Sequence, residues 1–168
     1  LLLLVLFSAT SFAAYSQDKK LSKTPPEDIF SILESDLFED FVPFVLQYIK
    51  ATGNVQPYLW IGNRYDRRIF STTDINVAKS SYDSAVLYYL RFSEMITPEN
   101  YEKYLKYYQE PRYTNGLFIF DEKLDNWRLE GPEAKVLLYR SRIDQRIQTL
   151  TSIVTALELQ AQEAFDQS

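Results

Sequence analysis

Residues 133–168 contain neither proline nor glycine. Within them Ile143, Ile147, Leu150, Val154, Leu157, Ala161 and Ala164 step by four and three, an apolar stripe along one side of an α-helix. Gly131-Pro132-Glu133 opens the segment, with proline in the first turn, where its missing N–H leaves no bond unmade. A rod of about nine turns can hide such a stripe only against other helices. This segment therefore commits the chain to helix-on-helix packing.

A second seam answers it. Ile75, Ala78, Tyr82, Ala85, Tyr89, Phe92 and Ile96 follow a heptad spacing in which small alanines alternate with large rings. Asp74 stands at its start. Thr97-Pro98-Glu99 opens another helix by cap and proline, with a stripe of Tyr101, Tyr104, Leu105 and Tyr108, and Pro111 closes it. Nearer the N-terminus, Thr24-Pro25-Pro26-Glu27 reads as cap, proline and capping-box acid. Ile29, Phe30, Leu33, Leu37 and Phe41 then form one face, Pro43 ends or kinks that helix, and residues 44–51 continue to a stop at Gly53. Residues 54–73 are the least helical part, because Pro57, Tyr58-Leu59-Trp60-Ile61 and Gly62-Asn63 suggest an ordered loop or short strand. Asn115-Gly116 is a turn signal before the apolar run Leu117-Phe118-Ile119-Phe120. The expected architecture is an all-α bundle of four or five helices, with a long C-terminal helix and a short irregular or β-like insert near 57–70.

The opening LLLLVLFSATSFAAYSQDKK resembles the apolar and cleavage regions of a bacterial secretory signal. Its apolar run falls short of the ~20 residues that span a membrane. Ala14 and Ser16 offer a cleavage pair that leaves Gln17 first, and Ser11 and Ala13 offer a second. With neither Met nor a basic stretch ahead of it, the signal is entered part-way. Residues 1–16 are thus read as a signal and 17–168 as one helical domain, periplasmic or secreted. Membrane attachment follows only if the opening segment is retained.

Missing residue types narrow the chemistry. With no cysteine and no histidine there is no thiolate nucleophile, no Ser-His-Asp triad, no disulfide and none of the usual zinc sites. Four scattered glycines make no phosphate-cradling loop, and neither metal nor cofactor is expected. A net charge of −5 disfavours nucleic acid, whose phosphates call for an excess of Lys and Arg. Carboxylates remain for acid–base work: Asp36, Glu39 and Asp40; Glu99 and Glu102; Asp121, Glu122 and Asp125. Solvated helix faces and caps account for these groups, and a carboxylate-based hydrolase of glycans or cell-wall material stands as the alternative function.

Two clusters point to binding instead. The segment PYLWIGNRYDRRIF sets Tyr58, Trp60 and Tyr65 beside Arg64, Arg67 and Arg68 around Asp66. Arginine forks match carboxylates and phosphates, and ring faces can hold sugars or cations, so a small anionic or glycan ligand, or a protein partner, is expected there. Tyr88, Tyr89, Tyr101, Tyr104, Tyr107 and Tyr108 crowd two consecutive helices, with Tyr88 and Tyr107 off the seams. The long helix also carries its charges against its own dipole. Lys135, Arg140, Arg142 and Arg146 come early, and Glu158, Glu163 and Asp166 late. Pairing Arg146 with Glu158, Arg142 with Glu163 and Arg140 with Asp166 shares a centre near Ser152, which suggests an antiparallel homodimer. The expectation is an exported, non-catalytic α-helical interaction or ligand-binding domain, or else a membrane-tethered module of an envelope complex.

Overall fold

The computed structural model describes residues 21–104 and 131–167. The expected signal at 1–16, and the segment holding Pro111, the Asn115-Gly116 turn, the apolar run after it and the Asp121 cluster, lie outside the described residues. Six helices are described and no strand among them: α1 (Pro26–Leu33), α2 (Phe38–Thr52), α3 (Gln56–Ser71), α4 (Ile75–Met95), α5 (Pro98–Lys103) and α6 (Pro132–Asp166). The all-α bundle with a long C-terminal helix is therefore observed. No described helix is long and apolar enough to cross a membrane. The chain divides into two compact units, one ending at Pro57 and one beginning at Tyr58.

In the first unit α1 and α2 pack on each other. Pro26 is the first helical residue, as its fixed φ favours, but Pro25 rather than Thr24 occupies the cap position and no side chain caps the helix. The apolar face expected to run from Ile29 to Phe41 breaks after Leu33. Ile29 and Leu33 are fully buried, whereas Leu37 is 64% exposed and Phe41 38%. A fresh helix starts at Phe38 and turns Phe38, Val42, Val45, Tyr48 and Ile49 inward. It continues through Pro43 instead of ending there. Pro43 and Glu39 are both exposed, so water can serve the Glu39 carbonyl that a proline at 43 leaves unbonded. Gly53, with φ of +72°, ends α2 as the sequence leads one to expect.

Residues 57–70 are helical, contrary to the irregular or β-like insert read from the sequence. The Asn54 side-chain oxygen accepts the Gln56 N–H at 3.0 Å and so caps α3. Pro57 then falls in the first turn, where its missing donor costs nothing. Gly62 and Asn63 lie mid-helix, so the pair that imitates a turn signal serves packing instead.

In the second unit α4 and α6 lie against each other, and α5 packs on α6. Cross-links run in opposite chain order and show α4 and α6 to be antiparallel. Arg140 reaches the carbonyls of Ser93 and Ile96, both at 3.0 Å. Further along, Tyr82 bonds Thr151 at 2.8 Å and Lys79 pairs with Glu158. The cap at Thr97 forms as expected, accepting the Asn100 N–H, and Asp74 caps α4 by accepting the Asn76 N–H. On α4 the seam buries Ala78, Ala85, Tyr89, Phe92 and Ile96. On α6, Val136, Tyr139, Ile143, Leu150 and Val154 are buried, while Ala161 and Ala164 are exposed. Tyr139 meets Phe92 edge-on at 5.8 Å, and Tyr101 of α5 lies 6.4 Å from it.

Candidate functional site

Helix α3 turns a polar stripe inward. Asn63 and Asp66, one turn apart, are 0% and 1% exposed. Arg146 of α6 grips the Asp66 carboxylate with two prongs, Nε to Oδ2 at 2.7 Å and Nη2 to Oδ1 at 2.6 Å. Tyr89 of α4 donates its hydroxyl to Oδ2 at 2.7 Å and lies 2.9 Å from the Asn63 side-chain oxygen. A phenol has one proton, and the charged carboxylate is the stronger acceptor of it. The Phe70 ring lies 5.4 Å from the guanidinium carbon, within cation–π range. Three helices are thus joined through one carboxylate.

Both oxygens of Asp66 are filled and almost none of its surface reaches solvent, so no substrate can approach it. Its hydrogen bond to Asp66 holds Arg146 more firmly as a cation. Burial, and then the charge of Asp66, push the Tyr89 phenol well above the ordinary tyrosine range. Burial does the same to Tyr139, with Tyr101 adding to it. The cluster is a clamp, and its chemistry is to hold helices together.

The raised phenols give the fold an alkaline limit. Above about pH 10 an unfolded chain gives up tyrosine protons that the folded chain keeps at Tyr89 and Tyr139. Their contribution is complete below that pH and is lost as pH rises. The expected slope is about 1.4 kcal/mol per pH unit for each buried phenol. Denaturation midpoints measured on either side of about pH 10 should fall steeply, and Tyr89→Phe with Tyr139→Phe should flatten the profile. An unchanged slope in the double variant contradicts the assignment.

The surface beside the clamp carries a strip of rings. Tyr58 and Tyr65 are two turns apart on α3, and Tyr88 of α4 stacks on both. The Tyr65–Tyr88 centroids are 6.0 Å apart with planes 1° from parallel, and Tyr58–Tyr88 are 6.4 Å apart at 26°. All three are half-buried. Burial of Tyr88 raises its phenol, with a smaller contribution from Tyr58.

The structure sorts the ligand-binding candidates. Tyr58 and Tyr65 enter the strip, joined by Tyr88. Trp60 leaves the surface altogether and is 1% exposed. Arg64, Arg67 and Arg68 are half-buried on α3 and each is already engaged by other groups.

The self-association candidates are also dispersed. Arg146 belongs to the clamp and Arg140 bonds the last carbonyls of α4. Glu158 pairs with Lys79, and Arg142 is half-buried and engaged. Glu163 and Asp166 are exposed, and Asp166 accepts a hydrogen bond from Gln162. Of the early bases of α6, Arg140 meets the negative end of the antiparallel α4 dipole and Arg146 meets Asp66 of α3.

Sequence reasoning missed Asn63, Tyr89 and the Asp66–Arg146 pair as a unit. A signal did exist. Arg146 is in step with Val136, Tyr139, Ile143 and Leu150, which makes it a charge on an apolar seam. Comparison with family models, with curated proteins and with solved structures returns no match. The reading rests on this chain's own residues.

Proposed function

We propose that this chain is a non-catalytic helical interaction domain that binds a protein partner through the tyrosine strip of α3 and α4. The observation supporting the reading is the Tyr58–Tyr88–Tyr65 stack, half-open to solvent on two helices joined beneath by the clamp. Tyrosine and arginine dominate the energetics of protein interfaces, because they offer large, stiff contact area with a polar tip. Arg64 precedes Tyr65 directly and Arg68 follows it three positions on, and Leu87, beside Tyr88, is 50% exposed. A strip already ordered by stacking loses little side-chain entropy on binding.

A photo-crosslinking phenylalanine at Tyr65 tests this, with Gln148, exposed on α6, as the control position. The expected result is a discrete adduct from position 65 and none from 148. Tyr58→Ser with Tyr88→Ser should weaken partner binding by about tenfold or more while circular dichroism stays helical. Equal adducts from both positions, none from either, or binding indifferent to the double change would refute the strip.

A further inference from the structure

The last turns of α6 carry a surface that neither the clamp nor the strip uses. Every residue from Leu159 to Asp166 is exposed, although the apolar seam of the helix continues through Leu157, Ala161 and Ala164. Phe165, four positions beyond Ala161 and so on the same face, is 76% exposed, the most of any large apolar side chain among the described residues. Beside this stretch, between the α3–α4 turn and α6, is a cleft of about 220 Å³. Ile75, Ala78, Leu157 and Ala161 give it an apolar lining, and the turn and Gln160 supply the polar remainder. A cavity of about 150 Å³ already accepts benzene, so this one has room for a single phenyl ring.

One helix face thus holds a knob and a hole of matching size and chemistry. The chain cannot join them itself, because Phe165 is fixed on the same rigid helix two turns beyond Leu157. A second copy can. We propose that this chain forms a closed dimer through the last turns of α6, with Phe165 of each copy seated in the cleft of the other. An antiparallel pair of α6 helices with its two-fold at Ala161 sets Leu157 of each copy opposite Phe165 of the other, since both lie four positions from the axis. The small side chain of Ala161 at the crossing lets the two helices come close. The contact is reciprocal, so it closes at two copies.

Charge agrees with this occupant. Glu163 and Asp166 are two and five positions from Ala161 and are turned away from the face, so the two-fold does not set acid against acid. Glu158 is matched by Lys79. The same register brings the last turn of the second copy beside Glu158, where the half-exposed Lys79 meets the negative end of its helix dipole. The two-fold read near Ser152 needed Arg140 and Arg146, which serve within the chain, and this one needs neither. The inference is independent of the tyrosine strip, which occupies a different surface.

Sedimentation equilibrium of the full chain up to ~1 mM tests the proposal, with a monomer–dimer equilibrium as the expected result. Phe165→Ala removes the knob and Ala161→Phe fills the hole, and each should weaken association by about tenfold or more. Both positions are exposed, and helical dichroism with an unchanged thermal midpoint at dilution would show that the fold is intact. An equimolar mixture of the two variants should associate more strongly than either alone, because one knob still finds one open cleft. A strictly monomeric wild type, a dimer that either variant leaves unchanged, or a mixture no stronger than its components overturns the proposal. Assemblies that keep growing with concentration also overturn it, in favour of a head-to-tail contact.

Discussion

Arg146→Met is expected to destabilise the protein by about 3–5 kcal/mol, and Asp66→Asn by distinctly less. The two changes break the same pair but strand different partners. Methionine fills much of the arginine's volume, yet leaves a carboxylate that is 1% exposed with only the Tyr89 hydroxyl to bond it. An isolated buried charge is among the costliest defects a core can hold. Asparagine at 66 still accepts from Arg146 and Tyr89, and the Arg146 side chain, 22% exposed, keeps contact with water. Urea midpoints of the two variants test this asymmetry. Equal losses, or a larger loss for Asp66→Asn, contradict it.

Replacing both groups separates stability from specificity. Asp66→Leu with Arg146→Met is expected to recover most of the loss, since apolar replacements often match a buried ion pair. Register should suffer instead. Slide α6 by seven residues and Ile143, Leu150 and Leu157 occupy the places of Val136, Ile143 and Leu150, so the apolar pattern alone tolerates the slip. Ile153 then faces Asp66, which leaves the carboxylate unpaired. With the clamp removed no buried carboxylate opposes that register and only the half-buried and exposed links at Arg140, Tyr82 and Lys79 hold the native one, so near-ultraviolet dichroism should weaken while far-ultraviolet dichroism stays helical.

Gly62 carries the second large effect. A Cβ built there would stand 2.6 Å from Cδ1 and 2.7 Å from Cε1 of Tyr89. In an unconstrained helix, Gly→Ala stabilises by about 0.8–1.0 kcal/mol. Here the opposite sign is expected. The Tyr89 ring is fully buried and its hydroxyl is tied to Asp66, so it cannot swing aside without loosening the clamp. Gly62→Ala should cost about 1–3 kcal/mol, and Gly62→Leu more, because a packed core resists added volume. Thermal melts of the series Gly, Ala, Leu provide the measurement. A gain in stability at the alanine step would mean that the ring and α3 are not in contact.

Much of the helical architecture was legible because periodicity is a local property. Two seams, the cap at Thr97, the stop at Gly53 and the proline start of α6 are all written within a few residues of where they act. The errors arose where a local signal has two meanings. Gly62-Asn63 imitates a turn, but Gly62 is small to admit a ring from another helix, and Pro57 opens a helix as readily as it breaks one. Pro43 could be exposed or buried, and only exposure lets α2 run through it.

The candidate site was half visible. Tyr58 and Tyr65 mark their strip by composition, but Trp60 lies between them in the chain and goes inward, because positions two and five residues apart do not share a helix face. The charges of α6 look misplaced against that helix alone and sensible beside an antiparallel neighbour. By itself the sequence determined which segments are helical rods and which chemistries are missing, since those depend on residue type and short spacing. Only the tertiary structure decided that Asp66, 80 positions from Arg146, binds it, and that Tyr88 lies between Tyr58 and Tyr65. Contacts between helices depend on their register and rotation, which a repeating apolar pattern leaves degenerate and buried polar pairs resolve.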